Sequence, residues 1–355
     1  MGRQAPNAER LPAPSEARQA GRAPNASAVG NEPLLRVEGV RVAFRGDGKP
    51  VLALAGVSFF VRPREVVCLV GESGCGKTLT ALSIMGLLPI PPARVEGGEI
   101  LFQGRNLLAL RDEEFQGVRG KEISMIFQEP MTSLNPVFTV GDQIEEAIRI
   151  HEAVTRSEAE RRVVQLLADV GIPSPEERRH DYPHQLSGGQ RQRVMIAMAL
   201  ACNPTLLIAD EPTTALDVTI QAQILSLFRE LLKGRGMSLL YITHDLGVVA
   251  QLAHRIYVMY AGLIVEEAEA KALFKAPNHP YTRGLMASLP SKAKRGERLH
   301  TVAGNVPDPA HRPPGCPFHP RCPLVRERCR TEFPEMCDFG HGNQARCPVV
   351  HGSWP

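Results

Sequence analysis

Gly71-Glu72-Ser73-Gly74-Cys75-Gly76-Lys77-Thr78 fits the pattern Gly-x4-Gly-Lys-Thr. The apolar run Glu65 to Val70 leads into it, and a helical pattern opens at Lys77. Strand, glycine loop and helix in that order make a phosphate loop. Glycines let consecutive backbone N–H groups converge on phosphate oxygens. The helix N-terminus adds partial positive charge. Gly71, Ser73, Gly74, Cys75 and Gly76 are therefore candidate phosphate contacts. Lys77 can reach the β- and γ-phosphates as a point charge. The Thr78 hydroxyl suits Mg2+, which prefers oxygen ligands.

Downstream, Leu206-Leu207-Ile208-Ala209-Asp210-Glu211 is an apolar run ending in two carboxylates. Asp210 is placed to hold Mg2+, directly or through water. Side chains alternate along a strand, so Glu211 points elsewhere. It is the candidate general base that orients an attacking water. Ile123 to Phe127 and Leu239 to Thr243 read as further buried strands. Helical patterns over Val140 to about Gly171, Gly188 to Ala201 and Val218 to Leu232 alternate with them. The fold class expected is α/β with a parallel core sheet. Leu34 to Phe44 and Val51 to Val61 read as antiparallel strands around Gly46-Asp47-Gly48. Arg255 to Val265 reads as a closing hairpin turning at Ala261-Gly262.

Net charge is +3 over 355 residues, too small to point to nucleic acid. Residues 1–32 hold almost no large apolar side chains, so a disordered tail is expected there. No apolar h-region follows Met1, and no apolar run approaches the 18 or so residues of a membrane helix. The expectation is a soluble or peripheral cytoplasmic protein. Past Leu289, Pro, Arg, Gly and Cys dominate, which puts a domain boundary near Pro290. The expected layout is a tail to residue 32, an ATPase domain over 33–289 and a Cys-rich extension over 290–355. Of eight cysteines, Cys316, Cys322, Cys329, Cys337 and Cys347 crowd that extension. In a reducing compartment such crowding favours metal over disulfide. Four thiolates satisfy either tetrahedral Zn2+ or a cubane iron–sulfur cluster, and a metal-free structural tail is the third reading. Tight Cys-x2-Cys pairs, usual for zinc, are absent.

Leu186-Ser187-Gly188-Gly189-Gln190 lies between the phosphate loop and the acidic strand. With these motifs, residues 34 to 290 resemble the nucleotide-binding subunits of ABC transporters. The resemblance implies an ABC-type phosphate-loop ATPase fold, with an antiparallel β subdomain and a helical subdomain carrying the signature. Ser187, Gly188, Gly189 and Gln190 match that signature, which faces the γ-phosphate of ATP bound by a second subunit. Gln128 matches the glutamine that senses Mg2+ and the transmembrane partner. Ala215-Leu216-Asp217 is similar to the loop that crosses the dimer interface. His244 matches the switch histidine, which contacts the γ-phosphate and supports Glu211. Phe44 is the nearest candidate for stacking on adenine, with a core or edge position as the alternative.

Glu129-Pro130-Met131-Thr132-Ser133-Leu134-Asn135-Pro136 and Tyr182-Pro183-His184-Gln185 resemble the peptide-permease branch. Gln185-Leu186 with Ile208-Ala209-Asp210-Glu211-Pro212-Thr213-Thr214-Ala215-Leu216-Asp217 is similar to the D-type rather than the F-type subunit of dipeptide and oligopeptide permeases, and Asn278-His279-Pro280-Tyr281-Thr282 is a further match. The resemblance implies two transmembrane permease subunits, a second, paralogous F-type ATPase subunit and an extracytoplasmic substrate-binding protein. It places the chain peripherally on the cytoplasmic face of the bacterial inner membrane. Nickel, glutathione and other peptide-like importers share these stretches. The tail resembles the extension of the same branch, which implies a 4Fe–4S cluster on Cys316, Cys322, Cys329 and Cys347. Cys337 departs from that pattern. A soluble ABC ATPase of DNA repair or translation is the competing class. Repair types carry a long heptad insertion after the glutamine and translation types fuse two ATPase domains; this chain has neither. It also lacks a basic stripe with interleaved aromatics, so no nucleic-acid partner is expected.

Overall fold

Among the described residues, twelve strands, β1 to β12, organise the fold. They are Leu35–Phe44, Val51–Val61, Val66–Val70, Ala93–Phe102, Arg105–Asn106, Ile123–Ile126, Leu206–Asp210, Ser238–Thr243, Arg255–Tyr260, Leu263–Glu269, Cys337–Asp338 and Gln344–Ala345. The computed structural model describes residues 32–45, 50–128, 133–214, 216–289 and 301–354. The expected disordered tail, apart from Glu32, lies outside the described residues. So do the turn Gly46-Asp47-Gly48, the stretch Glu129 to Thr132, Ala215 and the region around the expected boundary at Pro290.

Two sheets form. An antiparallel one runs β2-β1-β4-β5, and a larger one runs β11-β12-β10-β9-β3-β8-β7-β6. From β9 to β6 every neighbour in the larger sheet is parallel. Both its faces are buried, and the alternation of side chains shows how. Val66, Cys68 and Val70 of β3 enter one apolar core with Leu207, Ala209, Leu239 and Tyr241. Val67 and Leu69 enter the other with Leu206, Ile208, Leu240 and Ile242. Strands buried on both faces read as unbroken apolar runs, which is why β3, β7 and β8 are visible in the sequence. The first core also takes the helices Val140–His151, Arg156–Asp169, Gly188–Ala199 and Val218–Arg235. The second lies between the parallel strands, the helix Lys77–Ile84 and the antiparallel sheet.

β4 gives no clear periodic signal. Gly97-Gly98 interrupts it where its register with β1 shifts. Gly98 has φ +94, and a Cβ there would meet the Gly39 carbonyl oxygen at 2.6 Å. Close backbone approach, not side-chain patterning, sets this strand.

The described residues from Pro33 onward form one compact unit. The C-terminal segment adds β12 to the edge of the large sheet, pairing Glu266 with Ala345 and Glu267 with Gln344. Phe318 is buried against Tyr260, Tyr281 and His279, with ring centroids 5.3, 5.4 and 5.7 Å away. This segment therefore shares the main core rather than building its own.

Candidate functional site

The phosphate loop leaves β3 at Gly71. A Cβ at Gly71 would meet the Met259 carbonyl oxygen at 2.3 Å, so only glycine allows this path. Gly76 has φ +108 and opens the helix Lys77–Ile84 with no side-chain cap. The first N–H groups of that helix are thus left for a ligand. Lys77 is buried, and its Nζ donates to the carbonyls of Gly71 at 2.8 Å and Glu72 at 3.1 Å. Ser73, Gly74 and Thr78 are exposed along the mouth of the loop. Cys75 is buried beneath it, and burial raises its thiol above the usual range.

β7 delivers the two carboxylates. Asp210 is buried, and its Oδ1 has no hydrogen-bond partner among the described residues. Burial pushes the Asp210 carboxyl above the usual range, while a hydrogen bond from Thr78 pulls it down. An orphaned hard oxygen beside a threonine hydroxyl and a phosphate loop fits Mg2+. Asp210 and Thr78 are the residues that would hold it.

Glu211 turns away from Asp210. Its φ of +46 puts it in the left-handed region, a cost of about 1–3 kcal/mol typical of strained functional sites. Its N–H is held by the Ile242 carbonyl at 2.9 Å. Three groups converge on its Oε2: Gln128 Nε2 at 3.4 Å, Thr214 Oγ1 at 3.0 Å and His244 Nδ1 at 3.2 Å. Lys77 Nζ lies 3.8 Å from Oε1. Glu211, Gln128, His244 and Lys77, widely spaced in the sequence, thus meet at one carboxylate. A carboxylate so held can take a proton from water attacking a phosphate bound over Lys77. Thr214 carries no signal of this role in the sequence, where it is one threonine in a Thr-Thr pair.

Ser187 caps the helix Gly188–Ala199. Its hydroxyl accepts from Gln190 N–H at 3.3 Å, and the Gln190 side chain accepts from Ser187 N–H at 2.9 Å. Ser187 and Gly188 face solvent. Asp217 caps the helix Val218–Arg235 by accepting from Ile220 N–H at 2.9 Å. Half-buried Phe44 lines an open groove of about 230 Å³ with Arg45, Pro50 and Ile90.

The stretch Asn278 to Thr282 has a structural logic. Buried Glu266 accepts from the N–H groups of Asn278 at 2.6 Å and His279 at 2.9 Å. His279 Nδ1 accepts from Tyr281 N–H at 3.1 Å, which requires the neutral ring. Burial pushes the His279 imidazole down to about 3. Tyr281 is thereby aimed at the phosphate loop, where its hydroxyl oxygen accepts from Glu72 N–H at 2.9 Å.

Cys316, Cys322, Cys329 and Cys347 line one small cavity with His279, Phe318 and His319. Cys337 is not among its walls; it lies in β11 with its thiol toward the Glu335 carbonyl. Burial pushes the Cys316 thiol up to about 12 and the Cys322 thiol up to about 11, and raises Cys347. Among the described residues no three His, Cys, Asp or Glu side chains stand close enough to hold a single metal ion. No described helix is long and apolar enough to cross a membrane.

The chain is similar to known proteins in sequence and in fold. The family model of ABC transporters matches residues 54–214. The model of the C-terminal region of oligopeptide and dipeptide transporters matches residues 265–329. The dipeptide transport ATP-binding protein DppD of Bacillus subtilis is 52% identical over 316 residues, covering 89% of this chain and 94% of that protein. The protein of the same name in Escherichia coli is 50% identical over 314 residues, covering 88% and 96%. Among solved structures, a dimeric ATP-binding cassette in a post-hydrolysis state with ADP and Pi aligns with a TM-score of 0.60 and 28% identity. That alignment covers 66% of this chain and 98% of the cassette.

Fold and site define an ATP-hydrolysing cassette subunit. The chain belongs to the ABC transporter ATP-binding family, as a subunit of its dipeptide and oligopeptide import branch.

Proposed function

We propose that two such cassettes close head to tail, so that each ATP lies between one phosphate loop and the other subunit's signature turn. Lys77 and the loop from Gly71 to Thr78 bind the phosphates. Asp210 and Thr78 hold Mg2+, with Gln128 nearby. Glu211 is the general base and His244 holds it against the γ-phosphate. Ser187, Gly188, Gly189 and Gln190 serve the partner's nucleotide, Asp217 belongs to the loop at the dimer interface, and Phe44 stacks on adenine. The convergence of Gln128, Thr214, His244 and Lys77 on Glu211 carries this reading. The second cassette is a paralogous F-type subunit, and two membrane permeases and an extracytoplasmic binding protein complete the importer. Phe127, Val137 and Phe138 flank the Gln128 loop with exposed apolar surface, which supports permease docking there. Docking places the chain on the cytoplasmic face of the inner membrane. ATP-dependent uptake of labelled di- and tripeptides by vesicles holding the assembled importer tests the whole. Uptake that persists with Lys77→Ala in this chain refutes it.

Four thiols lining one cavity support a 4Fe–4S cluster there, and the lack of tight Cys-x2-Cys pairs disfavours Zn2+. A zinc ion draws all its sulfurs to about 2.3 Å of one centre. Cys316, Cys322, Cys329 and Cys347 would hold the cluster, and it would supply four iron–thiolate bonds that brace the segment. Anaerobic purification with iron and acid-labile sulfide assays decides this. Colourless, iron-free protein overturns it.

A further inference from the structure

We infer that Arg321 is a positioning residue for the phosphate loop and sets how tightly the chain holds ATP. The inference rests on the ATP site described above and adds a residue some 250 positions away in sequence. Glu72, the second residue of the loop, is gripped from three sides. Its N–H donates to Tyr281 Oη at 2.9 Å, and its carbonyl accepts from Lys77 Nζ at 3.1 Å. Its carboxylate accepts both arms of the Arg321 fork, Nη1 to Oε2 at 3.0 Å and Nη2 to Oε1 at 3.1 Å.

The fork has no slack. Arg321 Nε donates to the Ala303 carbonyl at 2.8 Å, Nη2 to the Val302 carbonyl at 3.1 Å and Nη1 to Tyr260 Oη at 3.4 Å. The side chain is 5% exposed. A planar guanidinium meets this many acceptors in one plane, and an ammonium does not. Its turn, His319–Arg321, is closed at both ends by cavity-lining cysteines. His319 N–H donates to the Cys316 carbonyl at 3.0 Å, and Cys322 N–H to the His319 carbonyl at 3.3 Å. The thiol cavity and the phosphate loop are therefore the two ends of one rigid turn.

The consequence concerns binding more than chemistry. ATP must draw the Lys77 ammonium off the carbonyls of Gly71 and Glu72. A loop already fixed at Glu72 loses little freedom when phosphate arrives, whereas a loose one must be ordered by the ligand. Arg321 touches no phosphate and acts through Glu72.

The test is a double-mutant cycle on the full chain, read by titration with a fluorescent ATP analogue. R321A and E72A should each weaken nucleotide binding about tenfold, and the double variant should be no weaker than the worse single. R321K, which keeps the charge and loses the fork, should recover only part. In the assembled importer, KM for ATP should rise by more than kcat falls, a split that general destabilisation would not produce. Unchanged affinity in R321A, or a double variant whose loss is the product of the singles, overturns the inference. If R321A does not fold, E72Q breaks the charge pair from the half-buried side, and unchanged affinity there overturns it equally. A wild-type chain that binds no nucleotide would sink the ATP site itself.

Discussion

Two helix N-termini in this chain look alike in sequence and differ in finish. The helix Lys77–Ile84 opens at a glycine in left-handed conformation, with no side-chain cap and a buried lysine as its first residue. The helix Gly188–Ala199 opens at Ser187, whose capping box with Gln190 satisfies donors at both ends. The first start is surrounded by its own chain's Lys77, Asp210 and Glu211. The second is exposed and already capped. An N-terminus left uncapped among buried polar groups is built to be completed by a ligand in the same chain. One that is self-capped and faces outward is open to a phosphate carried on another surface. That contrast supports the proposed site split between two subunits.

The sharpest way to break the contrast is at Glu211. Glu211→Gln should lower ATP turnover by about 10²–10⁴-fold while ATP still binds and dimers accumulate. Steady-state hydrolysis and gel filtration with ATP measure both, and normal turnover would remove Glu211 from the mechanism. The next effect tests the brace behind the first helix start. His279 has an ordinary pKa of 6.5 and about 3 in the folded chain. The unfolded chain binds the extra proton between these values, so stability should be full above pH 6.5 and fall as pH drops toward 3. The slope from this group is at most about 1.4 kcal/mol per pH unit. His279→Asn, which keeps a capping side chain, should flatten that slope in urea unfolding across the window; an unchanged slope would clear His279. Ser187→Ala should lower stability by about 1 kcal/mol through loss of the cap. It should leave nucleotide binding by the single subunit intact and reduce turnover of the paired cassettes. Weaker binding by the single subunit would mean that the two helix starts share one nucleotide within a chain. Asp217→Ala should cost about 1 kcal/mol or less by the same capping argument, and thermal unfolding reads it.

Much of the site is legible in the amino-acid sequence. The phosphate loop, Asp210-Glu211 and the signature are local patterns whose chemistry fixes residue type at fixed spacing. β3, β7 and β8 are legible because strands buried on both faces are continuously apolar. β4 is not, because Gly97-Gly98 follows a backbone contact with Gly39 that leaves no periodic trace. Composition sets the cysteine segment apart from the ATP site, whereas in the fold Arg321 and Tyr281 reach the phosphate loop. An arginine in a proline-rich segment carries no mark of the carboxylate it will meet.

The sequence alone determined the chemical inventory: a glycine loop with its lysine, paired carboxylates, a signature turn and a cysteine-rich end. Those are short-range facts, set by local backbone geometry and by which atoms can bind phosphate and magnesium. Tertiary structure decided which of them meet. Gln128, Thr214 and His244 share one oxygen of Glu211 because parallel strands β6, β7 and β8 end side by side. Four distant thiols face one cavity, and a turn between two of them braces the phosphate loop, because burying Phe318 against Tyr260 and Tyr281 folds the C-terminal segment back onto the main core. Apolar burial acts at any sequence separation, and spacing along the chain does not record it.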